Sequence, residues 1–98
     1  MDLIAFLIAI LVVGLLVTDC RQTLNIKLHP EVFETNEFLG PHPTDKTIYA
    51  YFLFCAVLFC ALFLVVLPRW SLIAQGLWAA GWIAVEVKVI FQNKKLGL

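Results

Sequence analysis

Ninety-eight residues, 62% of them hydrophobic and only 14% charged, with a mean hydropathy of +0.94, fall outside the range of a water-soluble domain. A chain this short makes at most one domain, and in water it has too little interior to bury so many apolar side chains; a bilayer covers them directly. Formal net charge is zero, which leaves neither a basic surface for nucleic acid nor an acidic tail.

The first apolar segment runs from Leu3 to Val17 without interruption. Continued through Asp19 to Thr23 it reaches about 20 residues, enough for a hydrocarbon core of ~30 Å. A cleavable signal peptide wants a basic start, and this chain begins Met1-Asp2. Cys20 stands where a lipoprotein signal has its cysteine, but the acid directly before it argues against processing. The segment is therefore expected to be a retained helix, spanning residues 3–23.

A polar stretch follows, with a loop expected over residues 24–47. It carries Glu34, Asn36, Glu37, His29 and His42, and three of the four prolines. Gly40 permits a positive φ, and Pro41 and Pro43 restrict the backbone on either side of His42. The expected result is a stiff turn leading into the second span and satisfying helix ends. His29 and His42, each followed by proline, read as loop-bracing residues. No spacing specifies a metal site from His42, Glu34 and Asp19.

Ile48 to Leu67 is the second span, twenty residues without a charge. Thr44 has the side chain of an N-cap, with Asp45 in the first turn. Tyr49 and Tyr51 suit the headgroup level. Pro68 ends the helix and Arg69-Trp70 marks the opposite interface, so a short hairpin makes spans two and three antiparallel neighbours.

The third span, residues 71–91, differs in kind, because it includes Gln75, Glu86 and Lys88, with Asn93 and a basic tail over 92–98. Gly76, Ala80 and Ala84 recur every fourth residue, a small-residue stripe that lets another helix approach. The plainer expectation packs this stripe inside the monomer; the other uses it between subunits. A second stripe of Gln75, Ala79, Trp82, Glu86 and Asn93 follows helical spacing on another face. The expected fold is thus all-α: an integral membrane protein with three transmembrane helices and one ordered polar loop between helices 1 and 2.

Three spans put the central stretch and the tail on one side. That side receives Arg21, Lys27, Lys46, Lys88, Lys94 and Lys95, against Arg69 on the other. The excess predicts a cytoplasmic loop and tail with the N-terminus outside. It also brings Asp19, Gln22, Thr23, Glu34, Asn36, His42, Glu86 and Asn93 toward one patch at the inner face. A charged carboxylate at the centre of a span costs roughly 2–3 kcal/mol, so Glu86 needs a partner, expected near Lys88, at Arg21 or at a loop amide. The plainer readings place Asp19 among headgroups and make Glu86 a packing carboxylate bonded to loop backbone. Cys20, Cys55 and Cys60 form no CxxC pair, zinc pattern or haem-attachment motif and read as small apolar residues.

Asp19-x-x-Gln22-Thr23, then Glu34-x-Asn36-x-x-Leu39-Gly40-x-His42-Pro43, Tyr51-Phe52, Glu86 and Asn93 resemble a pattern in small multi-span membrane proteins of tailed phages and prophages. In that family a proline follows the asparagine, where this chain has Glu37. The resemblance covers residues 19–93 and implies a phage or bacterial inner membrane without a stated activity. Size and span number also resemble three-span holins. No nucleophile, phosphate-binding or metallohydrolase motif is present, nor are there histidines within the spans for haem. The expected protein is accordingly no enzyme and needs no cofactor or metal. It acts by self-assembly in the bilayer, as a holin-like pore former or, alternatively, as an accessory subunit docked on a larger membrane complex.

Overall fold

The computed structural model describes residues 2–28 and 43–98, with side-chain surroundings omitted at Lys27 and Leu28. Three long helices carry the described chain: α1 (Leu3–Leu24), α2 (Asp45–Ala61) and α3 (Leu72–Lys95). A 3-10 turn at Asn25–Leu28 extends α1, and α2 continues through a π-helical turn at Leu62–Val66 and a 3-10 turn at Leu67–Arg69. Each of the three rods is long and apolar enough to cross a membrane, with mean hydropathies of 2.7, 2.9 and 1.3. The described residues contain no strand; the chain is all-α.

Each helix starts on a side-chain cap. Asp2 accepts from the Ile4 amide at 3.1 Å, Thr44 from Thr47 at 3.2 Å and Ser71 from Ala74 at 3.2 Å, each satisfying a backbone donor that the first turn leaves open. At the other end of α3, Gly97 takes φ 86°, and Leu98 and Gly97 donate to the carbonyls of Asn93 and Lys94 at 3.0 and 3.1 Å. This is a Schellman closure, and glycine is the residue that adopts it without strain. It carries α3 to Lys95, four residues beyond the expected span.

The inward faces follow from three- and four-residue spacing. In α1 they are Ala9, Val12, Leu16, Cys20 and Thr23; in α2 they are Ile48, Phe52, Cys55 and Phe59, continued by Phe63. Phe59 and Phe63 stack at 5.1 Å between centroids and form the aromatic centre. α3 contributes little to this interior, with Ala79 and Glu86 as its only buried residues. α1 and α3 run parallel, and α2 runs back between their ends.

The end of α2 departs from a simple stop at Pro68. Proline has no amide hydrogen, and in the π-helical register the acceptor it leaves without a donor is the carbonyl of Phe63. Gln75 of α3 donates its side-chain amide to that oxygen at 2.9 Å. One helical turn further, Trp78 Nε1 donates to the Phe59 carbonyl at 3.3 Å. A freed backbone acceptor in an apolar span is thereby satisfied from the neighbouring helix. The hairpin closes as Trp70 and Ser71 both donate to Leu67.

Candidate functional site

Five polar side chains meet where the Leu24 end of α1 lies against the Lys95 end of α3. Asp19, Gln22 and Thr23 occupy one face of α1 because they are three and four residues apart. Glu86 and Asn93 are seven apart, two turns along the same face of α3. Asn93 Nδ2 donates to Gln22 Oε1 at 3.2 Å and to Asp19 Oδ1 at 3.5 Å. Gln22 Nε2 donates to the Ile90 carbonyl at 3.2 Å, and Thr23 Oγ1 to Asp19 Oδ1 at 3.4 Å. The carboxyl groups of Asp19 and Glu86 lie within hydrogen-bonding range of each other.

Both acids are buried, Asp19 at 7% and Glu86 at 6% exposure. A carboxyl pair at this range is attractive only with a proton between the two oxygens; two ionised groups have no donor and repel. With one proton the pair carries a single negative charge. The Asp19 side has donors for it in Thr23 and Asn93. Glu86 Oε2, in contrast, is buried without a hydrogen-bond partner among the described residues.

Two of the three expected partners of Glu86 turn away from it, and the third, a loop amide, lies outside the described residues. Arg21 and Lys88 are both exposed, while Asp19 and Glu86 are buried. The reason is rotational: residues 86 and 88 are about 200° apart around a helix, as are 19 and 21. The acid of α3 meets the acid of α1, and each cation turns outward. Asp19 is likewise in the interior between helices, where the plainer reading had put it among headgroups. Glu34, Asn36 and His42, the loop members of the expected patch, lie outside the described residues. Among the described residues no three His, Cys, Asp or Glu side chains gather into a metal-ligand group.

A second correction concerns the small-residue stripe. Gly76, Ala80 and Ala84 are all exposed, and a β-carbon added at Gly76 meets nothing within 4 Å. The stripe does not bring α3 onto α1 or α2. The other stripe does so: Gln75, Ala79, Trp82, Glu86 and Asn93 face the partner helices and supply the inter-helix bonds. Hydrogen bonding decided between the two faces, since polar groups in a span must find partners while small residues tolerate lipid.

The sequence reading missed the aromatic arrangement beside the acid pair. Trp78 and Trp82 pack edge to face at 5.7 Å, and Trp82 meets Phe59 at 5.8 Å. With Tyr51 of α2 they line a groove of about 410 Å³ that reaches Glu86. The signal available was the i, i+4 spacing of the two tryptophans, one turn below Glu86. Cys20 and Cys55 are buried, Cys60 is half-buried, and all three are free thiols. Comparison with protein-family models, curated proteins and solved structures finds no match.

Proposed function

We propose that the chain is a small multi-pass membrane protein of phage type that acts by self-assembly in the bacterial inner membrane, with the outward face of α3 as the contact between copies. One observation carries this reading. α3 is the least apolar of the three rods, and it is also the least enclosed by its own molecule. Lys88 on the exposed side is costly in lipid, and the Gly76-Ala80-Ala84 stripe beside it lets another helix approach closely. The basic residues at the Leu24 and Lys95 ends support an N-terminus outside and a cytoplasmic tail.

A holin-like pore former is the specific form of this proposal. Cysteines introduced at Ala80 and Ala84, in a variant with Cys20, Cys55 and Cys60 replaced, should crosslink between copies. A cysteine at exposed Val57 of α2 should not. Induced alone in a bacterium, the protein should halt growth abruptly at a threshold amount. Absence of both effects removes the self-assembly reading.

One feature favours a second reading, an accessory subunit of a larger membrane complex. Asp19, Gln22, Thr23 and Glu86 are turned into the protomer, so a lumen lined by them requires the three helices to part. A docked subunit needs no such opening. In mild detergent it should co-purify in fixed ratio with a larger protein and show no growth effect.

A further inference from the structure

We propose that the groove between α2 and α3 is a binding site for a lipophilic organic ammonium ion that enters from the bilayer. Its volume, about 410 Å³, lies in the range of small-molecule sites. Three aromatic rings stand in its wall: Tyr51 on α2, and Trp78 and Trp82 on α3. The tryptophans are held in place, Trp78 by its bond to the Phe59 carbonyl and Trp82 by edge-to-face contacts with Trp78 and Phe59. Aromatic faces attract poorly hydrated cations, indole most strongly, and a cluster of such rings is the usual receptor for an alkylammonium group.

Charge selects the same ligand. Glu86 belongs to the groove wall, is nine-tenths buried, and has an oxygen with no hydrogen-bond partner among the described residues. The pair it forms with Asp19 carries one negative charge when it holds one proton, and no described lysine or arginine is ion-paired with either acid. A cation in the groove compensates that charge where water does not. A metal ion is disfavoured, because among the described residues no third ligand stands by and apolar rings replace none of its hydration. An alkylammonium loses little hydration and gains the rings. The groove is open at Gly81, where a β-carbon meets nothing within 4 Å. The groove lies on the flank of α3 away from Ala80, roughly 100° around the helix per residue, so the inference is independent of self-assembly.

The test uses full-length protein in lipid nanodiscs carrying Trp70→Phe, so that fluorescence reports on Trp78 and Trp82. Benzyltrimethylammonium is titrated beside neopentylbenzene, its neutral isostere, with calorimetry as the second readout. Saturable binding of the cation is expected, at least about tenfold tighter than the isostere. Glu86→Gln should weaken the cation about tenfold or more, the loss of one buried countercharge. Gly81→Leu should abolish binding by filling the groove while circular dichroism stays unchanged. Equal binding of cation and isostere, no saturable binding, or undiminished cation binding by either variant overturns the proposal.

Discussion

Gln75 donates to the carbonyl of Phe63 at 2.9 Å, and that carbonyl is the one Pro68 cannot serve. A proline near the end of α2 and a glutamine in the first turn of α3 are thus one device. It lets the hairpin turn sharply without leaving a bare acceptor in the apolar layer. The two residues should be coupled energetically. Gln75→Leu is expected to cost about 1 kcal/mol, within the ~0.6–1.7 kcal/mol measured for hydrogen bonds between membrane helices. In a Pro68→Ala background, which returns a backbone donor, the same change should cost less. A double-mutant cycle on reversible unfolding in mixed micelles measures the difference; equal costs in both backgrounds would show that the glutamine serves some other purpose.

The contact between Asp19 and Glu86 requires a proton, and that proton has a spectroscopic signature. Wild-type protein should show the infrared carbonyl stretch of a protonated carboxylic acid shielded from solvent exchange. Both Asp19→Asn and Glu86→Gln should lose it. If the band persists unaltered in both variants, the shared proton is refuted.

Stability should respond differently from the infrared band. Glu86→Gln leaves an amide that can still donate to Asp19, so insertion and helix packing should survive with a change under about 1 kcal/mol. Glu86→Ala removes both the hydrogen bond and the side-chain volume between α1 and α3, and should cost about 2 kcal/mol or more. Thermal unfolding in detergent followed by circular dichroism ranks the two; the reverse order would mean that charge, not packing, governs the site.

Asn93 bridges Gln22 and Asp19 from the last turns of α3. Asn93→Leu deletes both bonds and leaves the Gln22 carbonyl oxygen unpaired, which should loosen the Lys95 end of α3 from α1. Hydrogen exchange should quicken over residues 90–95 and remain slow around Ala79. Uniform protection along α3 in the variant would count against this account.

Thiol chemistry tests the packing more broadly. Cys20 and Cys55 should resist a maleimide in the folded protein, Cys60 should react slowly, and all three should react fully in denaturing detergent. Rapid labelling of Cys55 would place α2 in a different rotation.

The amino-acid sequence by itself determined the number of rods, their approximate lengths and the cap of the second. Uninterrupted apolar runs and a single capping residue such as Thr44 are local signals, and a bilayer turns apolar length directly into a span. It also placed Asp19 and Glu86 at the same end, because three crossings put the end of the first span and the end of the third on one side. What tertiary structure alone decided was rotation about each helix axis. Two stripes on α3, one small and one polar, satisfied the same helical period, and nothing local ranked them. The polar stripe turned inward because Gln75 and Asn93 find partners on the two other rods, among them the Phe63 carbonyl freed by Pro68. That same rotation turned Arg21 and Lys88 away from the acids, left Asp19 and Glu86 buried together, and opened the tryptophan-lined groove beside them.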